Sequence, residues 1–182
     1  MRERLQTERL LLRPIAADDV DLLVALDADP AVMRFINGGR PSSRAEVEGV
    51  VQRAIGRRWI AYDRATDEFL GWFAMRPSIE LRADRYLGYR LRRPAWGIGL
   101  ATEGSRALIA ATFTRSDAAR ILAQTMTVNT ASRRVMERCG MHYLRTFFEE
   151  WDEPIEGTEL GDVEYELSRS DWESGGMSDS RE

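Results

Sequence analysis

Residues 93 to 104 read "RPAWGIGLATEG", and few folds accommodate what this stretch and its flanks demand together. A short apolar run, "RYLGYRLR", enters the stretch with strand character, and "LATEGSRALIAATFTR" leaves it as a long apolar helix. The run "RILAQTMTV" then reads as a strand, "NTASRRVMERCG" as a short helix and "MHYLRTFFEEW" as another strand. The order strand, helix, strand, helix, strand predicts an α/β (α+β) arrangement with helices packed on a sheet.

The glycine turn suits an anion. A helix opens with backbone N–H groups that have no intrahelical partner, and its macrodipole adds partial positive charge there. Gly97 and Gly99 place no side chain in the way, so a pyrophosphate can approach the main chain at the start of the helix. A two-glycine turn is also, by itself, simply a turn. Two familiar phosphate-binding patterns do not match. The dinucleotide fingerprint needs glycine or alanine where Thr102 stands, and an acid at the end of the next strand, which "RILAQTMTV" lacks. The loop of nucleotide hydrolases needs Gly-Lys-Ser or Gly-Lys-Thr, and no lysine is near.

Ahead of this unit, "ERLLLRPI" reads as a first strand closed by Pro14. Asp18 and Asp19 precede a helix with Val20, Leu23 and Leu26 at helical spacing and Pro30 as its stop. A short helix carries "PAVMRFI". A third follows, with Ser42 or Ser43 capping ahead of Glu46 and an apolar face of Val47, Val50, Val51 and Ile55. From Arg58 two apolar runs around "DRATDE" form a hairpin. At the other end the acidic loop "DEPIEGTELGD" leads to a last strand, "VEYELSR". Residues 1–172 are expected to form one domain, and the polar residues 173–182 a disordered tail.

Cysteine and charge narrow the chemistry. Cys139 is the single cysteine and His142 the single histidine, so neither an internal disulfide nor a Cys/His metal site is expected. Cys139, just before the helix-stopping Gly140, reads as a small buried residue rather than a nucleophile. The aromatics Trp59, Trp72, Phe73, Tyr86 and Tyr89 read as core residues on strands, with one or two lining a cleft. A formal charge of -4 and an isoelectric point near 5.3 argue against general nucleic-acid binding. The arginines of "LGYRLRRP" and "SRRVMER" are either a local patch for a small polyanion or a solvated coat. Charges interrupt the apolar run of "MRERLQTERLLLRP", so it matches neither a signal peptide nor a membrane span, and a cytoplasmic location is expected.

Taken in order, "TERLLLRPI", "DPAVMRFI", "LGYRL", "WGIGLATE", "NTASRRVMERCGM" and "VEYELSRSDW" resemble the GNAT superfamily of N-acetyltransferases, and within it the RimJ/RimL-like branch. The resemblance implies a mixed, strongly twisted sheet of about seven strands, split into a V, with flanking helices. It implies acetyl-CoA in the cleft between the fourth and fifth strands. Main-chain N–H groups of Gly97, Ile98, Gly99, Leu100, Ala101 and Thr102 would cradle the pyrophosphate, and the backbone of Leu91, Arg92 and Arg93 would meet the pantetheine arm. On the other wall Asn129 would contact pantetheine and Ser132 would lie near the thioester sulfur. A homodimer is expected by the same resemblance. Two positions depart from the broader pattern: Pro94 replaces the usual Gln or Arg of the glycine motif, and Met136 stands where many members carry a tyrosine acid.

Acetyl transfer needs a neutral amine, whereas a free α-amine has a pKa of about 8 and a lysine about 10.4, so a base or an ordered water is required. The leaving thiol, with a reference pKa of about 8.5, needs little acid assistance. The resemblance gives that role to Ser132, which is otherwise accounted for as a first-turn serine beside an Asn129 cap. Glu149, Glu150 and Asp84 are carboxylate candidates for the base; Glu150 is preferred, although "EEWDE" also reads as a solvated acidic loop. Glu103 is explained by the helix dipole. The expected function is acetyl transfer from acetyl-CoA to a primary amine, either a protein N-terminal α-amine or a small molecule, by direct attack in a ternary complex. The alternative is a CoA- or acyl-CoA-binding sensor without turnover. Neither a membrane nor nucleic acid is an expected partner.

Overall fold

One sheet organises the chain, and a computed structural model describes residues 3–78, 81 and 83–176 of it. Strands β1 (Leu5–Gln6) and β2 (Leu10–Pro14) form an opening hairpin, followed by helices α1 (Val20–Asp27), α2 (Pro30–Asn37) and α3 (Arg44–Ala54). Then come β3 (Arg58–Asp63), β4 (Phe69–Pro77) and β5 (Asp84–Leu91), the glycine turn, α4 (Leu100–Arg115) and β6 (Arg120–Met126). Helix α5 (Thr130–Arg138), β7 (His142–Phe147), β8 (Asp162–Ser168) and α6 (Arg169–Gly176) complete it. The sheet has eight strands in the order β1-β2-β3-β4-β5-β6-β8-β7. The strand beyond the expected seven is β1, two residues too short to leave a pattern in sequence.

All neighbours are antiparallel except β5 and β6, which pair in parallel over only Asp84↔Arg120, Arg85↔Ile121 and Tyr86↔Leu122. Beyond Tyr86, β5 stays paired with β4 as far as Leu91, and β6 stays paired with β8 as far as Met126. The two halves therefore part from a vertex near residues 84–86, which is the expected V. It falls between the fifth and sixth strands once β1 is counted. Asp84 is buried at that vertex, bonded to Arg120 at 2.7 Å, at the opposite end of β5 from the glycine turn. It is a structural ion pair, and its placement removes it from the candidate bases.

Each face of the sheet carries its own core. On one, Phe73, Met75, Leu87 and Leu91 pack against Leu100, Leu108, Ile109 and Phe113 of α4. On the other, Ile60, Trp72 and Ala74 pack against Leu23, Leu26, Val32, Val47 and Val51 of α1 to α3. Gly104 is required where α4 crosses β4, because a Cβ there would sit 2.3 Å from Phe73 Cζ. Ser43, rather than Ser42, caps α3: its hydroxyl accepts from the Glu46 N–H and the Glu46 carboxylate accepts from the Ser43 N–H, a reciprocal pair that satisfies two otherwise orphaned donors. The helix stops at Ala54, so Ile55 lies outside its apolar face and is exposed.

Helix α6 runs through residues 173–176, where a tail was expected; residues 177–182 lie outside the described part. Its anchors are Trp172, whose ring lies tilted 5.3 Å from that of Phe113, and Arg169, whose guanidinium donates to the carbonyls of Phe113, Ser116 and Ala118. Among the described residues no helix is long and apolar enough to cross a membrane, and no three His, Cys, Asp or Glu side chains are grouped to hold a metal ion.

Candidate active site

The V presents two walls and an N-terminal helix turn. The β5 wall turns backbone toward the split. The Arg92 N–H donates to the Leu70 carbonyl at 2.9 Å, which fixes the even-numbered residues of β5 as those hydrogen-bonded to β4. Antiparallel pairing alternates, so the N–H and C=O groups of Leu87, Tyr89 and Leu91 turn toward the split. The expected contacts at Leu91, Arg92 and Arg93 are thereby sorted. Leu91 faces the gap, with its carbonyl receiving the Trp96 indole N–H at 2.7 Å. Arg92 has its N–H on Leu70 and its carbonyl on Ala95, and its side chain bonds Glu68. Arg93 bonds Asp29 at 2.7 Å. Both side chains are thus held in surface ion pairs.

At the top of the V the glycine turn leads into α4. Gly97 and Gly99 take φ of 75° and 85°, the left-handed region that glycine alone enters without strain. A Cβ on Gly97 would meet nothing within 4 Å, so the space over the turn is open. Gly99 is the N-cap and no side chain caps the helix, which leaves the N–H groups of Leu100, Ala101 and Thr102 without intrahelical acceptors. The Thr102 hydroxyl is buried and has no hydrogen-bond partner. A row of unused donors at a helix start is a fitting cradle for a pyrophosphate. Arg9, absent from the sequence reading, stands beside it and donates to the Ile98 carbonyl at 2.8 Å. Its other bonds run to Glu103, which also accepts from the Thr7 hydroxyl at 2.5 Å. Burial alone would raise the Glu103 pKa, but the hydrogen bonds from Thr7 and Arg9 prevail and hold it below the usual carboxylate value. Glu103 is thus the strap tying the β1–β2 turn to α4, more than a dipole effect.

The opposite wall is the start of α5. Asn129 is its N-cap: the side-chain carbonyl accepts from the Ser132 N–H at 3.2 Å, and the amide donates to Thr125 at 3.0 Å. Ser132 Oγ lies 2.8 Å from the Tyr89 hydroxyl, which also donates to the Ser132 carbonyl at 3.1 Å. Tyr89 thereby spans the V from β5 to α5. Burial pushes its pKa up, so it stays a protonated phenol. Met136 is 2% exposed and lies within the core, so no side-chain acid occupies that position. Cys139 is buried too, and burial raises its pKa to about 11, which keeps it a neutral thiol.

Beyond the V, on the sheet face that carries α1 to α3, Glu164 of β8 is 2% exposed. It accepts from Tyr86 at 3.2 Å, Gln124 at 2.7 Å and Arg145 at 2.8 Å. An alternating strand such as "VEYELSR" marks Glu164 as an outward-facing polar residue, which is why sequence missed it. Glu150 is exposed in the loop after β7, beyond the strand end where Phe147 pairs with Asp162. Burial and nearby Glu149 raise the Asp162 pKa at that end. The loop between β7 and β8 reaches α2: Glu156 pairs with Arg34 at 3.3 Å, and Ile155 packs on Gly38.

The family model of the acetyltransferase (GNAT) domain matches residues 9–142, a span that holds the parting strands β5 and β6 and the uncapped glycine turn between them. The chain belongs to the GNAT acetyltransferase family. It is an N-acetyltransferase, and this family's acetyl donor is acetyl-CoA. The chain is 33% identical to the FsC-acetyl coenzyme A-N(2)-transacetylase of Aspergillus fumigatus, over 92% of its own length and 77% of that protein's. A GNAT acetyltransferase from Bacillus anthracis shares the fold with a TM-score of 0.80 at 20% identity, covering 92% of this chain and 99% of that one. RimL, a ribosomal alpha-N-protein acetyltransferase solved with CoA, superposes with a TM-score of 0.75 at 20% identity, covering 91% and 98%.

Proposed function

We propose that this GNAT enzyme acetylates a primary amine by direct attack within a ternary complex, as a RimJ/RimL-like member acting in the cytoplasm. Acetyl-CoA supplies an activated thioester. Gly97 to Thr102 would hold its pyrophosphate, the split-facing backbone of β5 around Leu91 its pantetheine, and Asn129 and Ser132 would form the opposite wall. The observation that carries this reading is the Tyr89–Ser132 contact of 2.8 Å across the V. With the phenol proton on the Ser132 carbonyl, the serine hydroxyl donates back to Tyr89. Turning the phenol hydrogen onto Oγ frees the serine hydroxyl to donate a hydrogen bond to the leaving thiolate, both residues staying neutral, while the proton lost by the amine balances the one that the thiolate takes up. Tyr89 then acts through Ser132, in the absence of an acid at Met136.

For the amine proton, Glu164 is proposed beside Glu150: it lies on the sheet face that carries α1 to α3, with the Tyr86 hydroxyl and the Gln124 amide on one oxygen, and its ion-pair partner Arg145 is itself largely exposed. The acceptor amine is either a peptide N-terminus or a small molecule. A homodimer is supported by exposed Tyr143, Leu144 and Phe148 on and beside the edge strand β7.

Free-thiol release from acetyl-CoA with a panel of peptides, amino acids and polyamines tests the function. Ser132→Ala is expected to lower kcat by about 100-fold while CoA affinity by calorimetry changes little. CoA binding with no thiol release for any amine would favour the sensor instead.

A further inference from the structure

The sheet face beneath α1 to α3 holds a charge cluster that acetyl transfer does not itself require. Arg58, Ala74 and Gly88 stand side by side across β3, β4 and β5, and Ile60, Trp72 and Arg90 form the next row. Ala74 and Gly88 are small, and the Trp72 indole leans into the space they leave, Cζ3 lying 3.8 Å from a Cβ built on Gly88. The Arg58 guanidinium carbon is 3.9 Å from the indole centroid and that of Arg90 is 5.3 Å away. Two cations share one ring.

Only one of them has an acid. Asp27 bonds Arg90 at 2.6 Å and takes the Ser42 hydroxyl at 3.0 Å on its other oxygen. Arg58 makes no ion pair or hydrogen bond to a carboxylate among the described residues, and feels Asp27 only at longer range, shared with Arg90. The Nε–H groups of Arg58 and Arg90 and the indole N–H of Trp72 are all buried without an acceptor. Buried donors are rarely left so, and a desolvated cation without a counter-charge is costly. Burial first, then Arg90 and more weakly Arg76, outweigh the attraction of Asp27 and lower the Arg58 pKa to about 10, so it remains a cation at neutral pH. The cluster thus has surplus positive charge and surplus donors, and lacks an anion with several acceptor oxygens.

We infer that Arg58, Arg90 and Trp72 bind a carboxylate carried by the acceptor, so that the substrate is an amine bearing a free carboxylate. A guanidinium fork matches a carboxylate's two oxygens, which a neutral carboxamide matches less well. The inference rests on the reading that this face of the V is the acceptor side.

The test compares matched acceptors, amino acids and short peptides with a free carboxylate against the same compounds amidated, with kcat/KM taken across pH to remove differences in amine pKa. The free acid is expected to be preferred about tenfold or more by the native enzyme. Arg58→Met should bring that ratio near one, and Arg58→Lys should keep part of it. Equal use of acid and amide by the native enzyme, or an undiminished ratio in Arg58→Met, overturns the inference. A second arm needs no turnover: calorimetry of the CoA-bound protein with an N-acetylated amino acid and its amide. Tighter binding of the acid, lost in Arg58→Met, supports the carboxylate site even where no acceptor reacts; equal binding refutes it. Absence of thiol release with every amine would instead count against the transferase reading alone.

Discussion

Single side chains divide the chemistry here by what surrounds them. Ser132 is a helix-start serine by sequence, and its distinction is the buried phenol that reaches it from a strand 43 positions earlier. Tyr89→Phe should therefore lower kcat by about tenfold with KM for acetyl-CoA nearly unchanged, and Ser132→Ala should abolish the effect of the tyrosine change in a double-mutant cycle. Glu164→Gln and Glu150→Gln form a second pair. A loss of about 100-fold in kcat for the first and near-native turnover for the second is expected; the reverse result gives the role to Glu150. Cys139 is a negative control. With its pKa raised to about 11, only roughly one molecule in a thousand is thiolate at pH 8, so alkylation should be slow in the native protein and rapid in denaturant. Raising pH should accelerate it, since deprotonation is what burial opposes.

Among the elements, those with a strong periodic signal were legible: α1 to α5 and β2 to β8 lie within a few residues of their expected places. The failures have physical causes. β1 holds two residues, and α6 is fixed by Trp172 and the triple donation of Arg169, long-range contacts that no local pattern announces. The site divided the same way. The glycine turn and the Asn129 cap are local, so sequence found them, whereas Arg9, Tyr89 and Glu164 acquire meaning only when distant strands meet. Helix α4 also shows where propensity loses to packing. Gly104→Ala would gain about 1 kcal/mol as a helix substitution, yet the new methyl meets the ring of fully buried Phe73. Overpacking costs roughly 1–3 kcal/mol, so a net loss of stability is expected in urea denaturation, partly recovered by Phe73→Leu.

At the level of the whole molecule, every one of the 26 basic side chains is an arginine, and most of those near the V are spent on internal partners: Arg92 on Glu68, Arg93 on Asp29, Arg120 on Asp84 and Glu166. That economy makes Arg58 conspicuous. The sheet, meanwhile, is joined across its middle by three residue pairs, after which β5 has a neighbour on one side only. A donor whose amides lie along that bare edge would stand in for the missing strand and complete the sheet, so binding it and bracing the fold are one event. Mass action then raises stability by about 2.7 kcal/mol at a hundredfold excess over Kd. The melting temperature should climb with CoA in proportion to the logarithm of its concentration. Ranking acyl-CoAs by that rise would reveal which acyl group the cleft admits before any acceptor has been found.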